Sequence, residues 1–226
     1  MILLAFLLQA AAPAPAAARC TVPTSADARA AQRQCAGLAL AKDAKWPAAA
    51  AEFEAAARTS ETARDGQAAI YWSQAGNAWL AAGQPTKART ALDTALVAGT
   101  LAGLPLGEAW LDHARANVAA GEMEGARSDL DQALLNAADD PLAWLLSATL
   151  ARRMNDAPRA RKDIAEALRR SPDDASVQLE AGNIAALSGD EPGARDHWGQ
   201  AARIAPDTPA GLSAKAALRQ FDTPSK

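Results

Sequence analysis

The stretch "EAGNIAALSGDEPGARDHWGQAA" (Glu180–Ala202) repeats the plan of "QAGNAWLAAGQPTKARTALDTAL" (Gln74–Leu96). Each has Ala-Gly-Asn, a short apolar run, a Gly turn with a Pro close behind it, an Ala-Arg pair and a second apolar run. So many matched slots at such separation identify an internal repeat, the signature of a stacked architecture.

A narrower feature locates the other copies. Alanine, three residues, a large apolar residue, two residues and alanine recur as Ala49-Phe53-Ala56, Ala88-Leu92-Ala95, Ala126-Leu130-Ala133, Ala160-Ile164-Ala167 and Ala194-Trp198-Ala201. The last three copies are 34 residues apart; the earlier steps are 39 and 38. Ahead of each lies a second helical stretch and a turn: "KDAKWP", "AAGQPT", "AAGEME", "MNDAPR" and "LSGDEPG". A Gly, Asn or Asp in each turn is expected to end the first helix at positive φ. Pro47, Pro85, Pro158 and Pro192 stand where the next helix begins, a position at which a missing N–H costs nothing. The reading is five antiparallel helix pairs. No single pair buries its own apolar stripe, so neighbours must stack. After Pro206, "TPAGLSAKAALRQF" places Leu212, Ala216 and Leu218 among polar residues and is expected to form a terminal capping helix.

This pattern resembles the tetratricopeptide repeat family over about residues 30–208. Trp72, Trp110 and Trp144 hold an early aromatic slot; Gly37, Gly76 and Gly182 hold a close-packing slot that Ala114 and Ala148 fill in the other pairs; Trp79 follows in a large slot; Pro172 and Pro206 close the last two units. Arg33 stands where the first unit's aromatic belongs, and three units lack the late proline. The resemblance implies an all-α fold, a right-handed α-α superhelix of antiparallel helix pairs with a C-terminal capping helix. It also implies a concave groove lined by the first helices, in which a protein or peptide partner lies. Carried onto this chain, the groove residues are Ser73, Asn77, Leu111, Arg115, Leu145, Thr149, Arg152 and Asn183, with Leu80, Glu108, Asp112, Leu142, Ser176, Leu179 and Glu180 in the remaining slots. An asparagine there both donates to and accepts from a peptide backbone; the alternative is that Asn77 and Asn183 bond neighbouring helices. The basic clamp that some family members use for a C-terminal carboxylate is absent, since Asp112 and Leu142 occupy its slots.

Composition agrees with helices. Half of the 226 residues are apolar, most of those are alanine, and aromatics make up 4%. Alanine has the highest helix propensity and loses no side-chain entropy. A net charge of -3 argues against nucleic acid as the main partner. The first twenty residues, "MILLAFLLQAAAPAPAAARC", read as an export signal: Ile2–Leu8 form an apolar core, and Ala16-Ala17-Ala18 offers a cleavage site before Arg19. No Lys or Arg precedes that core, and an uncleaved membrane anchor is the alternative. The division expected is a signal peptide over 1–18, an arm over 19–29, the repeat array over 30–208 and the cap and tail over 209–226. Export to the periplasm would place Cys20 and Cys35 in an oxidising compartment, where they read as one disulfide. The arm reaches only if it folds back along the first helix; intermolecular pairing and two buried thiols stay open.

Chemistry-bearing constellations are missing. His113 and His197 fall in different units without a second His or Cys at ligand spacing, so neither a metal nor a cofactor is expected. The glycines punctuate turns and form no phosphate loop, and no nucleophile elbow occurs. The carboxylates Asp129/Asp131 and Asp139/Asp140 read as solvated faces or helix caps. Cations gather in the fourth unit (Arg152, Arg153, Arg159, Arg161, Lys162, Arg169, Arg170) and acids in the third, a solvated surface or a bipolar contact for a partner or a second copy. The six tryptophans read as core packing apart from Trp46, which stands at a turn. The expectation is a non-enzymatic exported scaffold that binds an envelope protein. The alternative is a self-associating structural or accessory subunit, a homo-oligomer.

Overall fold

A computed structural model describes residues 28–64 and 66–221; the candidate signal, its cleavage site and Cys20 lie outside these residues. The described residues form eleven α-helices and no strand: α1 Ala28–Lys42, α2 Trp46–Ala63, α3 Ala68–Ala81, α4 Pro85–Val97, α5 Gly103–Ala120, α6 Met123–Asn136, α7 Pro141–Arg153, α8 Ala157–Arg170, α9 Ala175–Leu187, α10 Glu191–Ile204 and α11 Pro209–Phe221. The pairs are α1/α2, α3/α4, α5/α6, α7/α8 and α9/α10, with α11 as the cap. None of these helices is long and apolar enough to cross a membrane.

The turn inside each pair is built one way. The N–H of Lys45, Gln84, Glu122, Asp156 and Asp190 bonds back to the carbonyl five residues earlier, on Leu40, Trp79, Asn117, Ala151 and Ala185. The residue just before each donor has positive φ: Ala44, Gly83, Gly121, Asn155 and Gly189. This is the 6→1 closure of a helix that ends in a left-handed residue. Four of the five residues suit that conformation. In the first turn the sequence pointed to Asp43, but Ala44 takes the position, at φ 56°.

The pairing slots lie sixteen residues apart in every copy. Gly37 faces Phe53, Gly76 faces Leu92 and Gly182 faces Trp198: a Cβ at these glycines would come within 2.6, 2.4 and 2.4 Å of the opposing side chain. The second helix therefore approaches over a bare backbone, and its large residue fills the space. Ala114 with Leu130, and Ala148 with Ile164, are the same slots with a methyl added; all four are buried.

The described residues form two compact units, divided between Asn136 and Ala137. In the first, α3 packs on α2, α4 and α5, and the core runs from Ala49, Phe53, Trp79 and Leu80 to Leu92, Ala109 and Ala116. Its helices α2 to α5 start without a side-chain cap. In the second unit, α7 to α10 each begin with an aspartate whose carboxylate accepts backbone N–H groups of the first turn: Asp140, Asp156, Asp174 and Asp190. Such a cap contributes about 1 kcal/mol per helix. The change to the strict 34-residue step thus coincides with capped helices. Trp198, Ala194 and Ala201 of this unit are covered by Ala214, Leu218 and Phe221 of α11. The Phe221 and Trp198 rings meet edge to face at 5.3 Å.

Candidate partner-binding site

Within each compact unit, neighbouring first helices are stapled through a polar slot two residues before the close-packing Gly or Ala, held by Gln74, Asp112 and Glu180. In the first unit Gln34 Nε2 donates to Gln74 Oε1 (3.1 Å). Asn77 Nδ2 donates to Asp112 Oδ2 (2.7 Å), and Arg115 Nη1 reaches Asp112 Oδ1 from the next turn of α5 (2.8 Å). In the second unit Arg152 grips Glu180 with Nε (2.6 Å) and Nη2 (3.2 Å), and Asn183 Nδ2 donates to Glu180 Oε2 (3.2 Å). The amide oxygen of Asn183 accepts from Trp198 Nε1 (3.1 Å), linking this face to the core. Each acid thus receives one donor from the preceding first helix and one from three residues along its own.

These staples decide what each groove candidate presents. Ser73, Leu145, Thr149 and Arg152 are half-buried, and Asn77 is exposed although bonded to Asp112. Thr149 Oγ1 donates to its own helix at Leu145 O (2.8 Å), so the hydroxyl keeps only its acceptor capacity. Leu145 leans on the core of the second unit. Arg115 is largely covered within its ion pair with Asp112. Leu111 is buried, so its side chain packs the core and offers a partner no surface. Leu80 is buried in the same way. The acids Asp112 and Glu180 organise the face. Their signal in the sequence is an acid followed three residues later by Arg or Asn, neighbours on a helix surface.

A second polar slot lies between the two helices of a pair. His113 Nδ1 and Asn117 Nδ2 both meet Asp129 Oδ2 at 2.8 Å. Ser147 Oγ donates to Asp163 Oδ2, which also receives Arg159 Nε (3.2 Å). Each acid immediately precedes the large slot residue, Leu130 or Ile164. Asp129 is therefore not the solvated carboxylate its sequence context suggested: it is buried, and its Oδ2 is held by His113 and Asn117. Asp140 is a helix cap, as expected. Burial acts to lower the pKa of His113, but hydrogen bonding and charge from Asp129, with Asp93 beyond, outweigh it and raise the value above that of ordinary imidazole. His197 Nδ1 meets Gln178 Oε1 at 2.7 Å, and Gln178 Nε2 donates to Pro172 O.

Trp72, Trp79, Trp144 and Trp198 are packing groups whose indole N–H groups are anchored. Trp79 and Trp198 are buried. Trp72 Nε1 donates to Glu61 (2.6 Å) and Trp144 Nε1 to Ala138 O (2.7 Å). Arg58 and Arg170 lie over those two rings. Trp46, unexplained by the repeat, is the first residue of α2 and half-buried.

The tetratricopeptide repeat model matches residues 73–143 and 145–209, more than half of the chain. The protein belongs to the tetratricopeptide repeat family. Solved tetratricopeptide structures share its fold at low identity. YrrB, a TPR protein with an unusual peptide-binding site, is 20% identical, with a TM-score of 0.61 over 81% of this chain and 90% of that one. PilF of Pseudomonas aeruginosa is 17% identical, with a TM-score of 0.67 over 86% and 83%. MamA of Desulfovibrio magneticus RS-1 is 14% identical, with a TM-score of 0.65 over 80% and 97%. No curated protein matches the chain. A tetratricopeptide repeat array supports a role as a protein–protein interaction scaffold.

Proposed function

We propose that this protein is an exported scaffold that holds an envelope protein or peptide segment against the first helices of its repeats. The observation that carries the reading is the order on that face. In the first unit Asn77 is fixed by Asp112 yet stays accessible on the helix that carries the half-buried Ser73; in the second, Arg152 is fixed by Glu180 yet stays accessible on the helix that carries the half-buried Leu145 and Thr149. Side chains already held in one geometry lose little entropy when a partner arrives. YrrB, with its peptide-binding site, lends the reading support by analogy alone. We assign no catalytic step to this chain.

One observation favours self-association as the second reading. Val97 and Leu135 are 86% and 76% exposed, in the slot that holds Arg58, Arg169 and Arg203 in the other units. A photoreactive residue placed at Leu145, and separately at Val97, distinguishes the two readings in cells. The scaffold reading expects an envelope protein captured from Leu145 and not from Val97. Capture of only a second copy from Val97, with nothing from Leu145, replaces it by self-association.

Export rests on Ile2–Leu8 and the Ala16-Ala17-Ala18 motif, and it carries the Cys20–Cys35 bridge with it. The periplasmic fraction is expected to hold a chain starting at Arg19, with Cys20 and Cys35 in one peptide on a nonreducing map. A loop of about 15 residues closed this way contributes at most about 3 kcal/mol. A cytoplasmic chain that keeps Met1 overturns export; free thiols in the periplasmic chain overturn the bridge.

A further inference from the structure

His113 joins three helices of the first unit. From α5 its Nδ1 meets the buried Asp129 of α6, which Asn117 also holds. Its Nε2, itself buried, lies 3.1 Å from Asp93 Oδ1 of α4. Nε2 makes no well-aligned hydrogen bond, so the Asp93 contact is one of charge. Asp93 is 59% exposed on its side chain, whereas Asp129 is almost covered.

We propose that His113 is a proton-controlled tie between the second and third helix pairs, closed to Asp93 when the imidazole carries two protons and released when it carries one. A neutral imidazole has one N–H and one lone pair. The proton stays on Nδ1, because Asp129 is buried and cannot turn to water, while Asp93 can. Nε2 then directs a lone pair at the Asp93 carboxylate, and that contact becomes repulsive. The other charges nearby leave this balance intact. On α4, Lys87 lies over the Trp79 ring and Arg89 precedes Asp93 by one turn. On α6, Arg127 pairs with Asp131, and Glu124 is exposed. On α5, Asp112 pairs with Arg115, Glu108 is exposed and the Trp110 ring meets His113 edge-on. The third helix packed on α5, α3, carries no Asp, Glu, Lys, Arg or His; its one titratable side chain is the buried Tyr71.

Because the folded value lies above the unfolded one, the tie stabilises fully below the ordinary imidazole range, near 6.5. It is lost as pH rises through the folded-state value. With two histidines in the chain, both ring signals are resolved by NMR of the intact protein. In a titration from pH 5 to 9, His113 is expected to change state above pH 6.5, and Asp93→Asn to move that midpoint downward while the fold stays intact. Amide protection in α4 should fall across the His113 midpoint and lose that step in Asp93→Asn. A His113 midpoint at or below 6.5, or one that Asp93→Asn leaves in place, overturns the tie.

Discussion

Trp198→Ala is expected to destabilise the second unit by about 3–5 kcal/mol, the range for deleting a buried aromatic side chain. Three contacts go at once. The indole fills the space over Gly182, meets Phe221 edge to face and donates to Asn183. The loss should be read first in α9, α10 and α11, since a repeat array transmits stability through nearest neighbours. Gly182→Ala tests the same contact from the other side. Its methyl would sit 2.4 Å from Trp198 Cδ1, and overpacking of this kind costs about 1–3 kcal/mol. The chain supplies its own control, because Ala114 faces Leu130 in the third pair without difficulty. In a Trp198→Leu background, Gly182→Ala should therefore cost much less than in the parent. Chemical denaturation of the four proteins measures the coupling. Equal costs in both backgrounds would mean that the glycine is held by something other than the tryptophan.

The same control explains why the fold could be read from sequence. The pairing slot is a fixed interval between a small residue and a large one, and that interval survives every change in connector length. The turn closure was legible in four of five cases, because Gly83, Gly121, Asn155 and Gly189 are residues that adopt positive φ readily. Ala44 was not legible. Its conformation is imposed by the closure from Lys45 N–H to Leu40 O, and alanine gives no local hint of it. The polar network was less legible still. His113 and Asp129 are sixteen residues apart, the interval that pairs Gly182 with Trp198, so they face each other for the same geometric reason. Recognising that needed the slot to be read with polar residues in it. Leu111 misled for the converse reason: a family position facing a groove in one array is covered in this one. The identity of a partner leaves no trace in periodicity, because exposed side chains on a first helix are free to vary without disturbing the interval that specifies the fold.

Arg152→Ala, in turn, is expected to cost about 2–3 kcal/mol, below the range for stranding a fully buried charge. Glu180 would keep only Asn183 as a donor, while its carboxylate stays almost covered. The discount reflects Arg152 itself, whose side chain is 22% exposed and leaves water a path to the vacated space. Asn77→Ala should cost less, about 1 kcal/mol, because Asp112 retains Arg115 and the lost amide was already at the surface. In the double variant Arg152→Leu with Glu180→Leu, no charge is left unpaired, and most of the stability should return. The order matters for function. If Arg152 is a structural partner of Glu180, weakened binding in Arg152→Ala has to be compared with the double variant at equal stability, where only a lost contact to the partner remains. Should Arg152→Ala melt with the parent, the pair does not hold in solution, and Arg152 stands as a free cation on the first-helix face, available to an acidic segment of the partner.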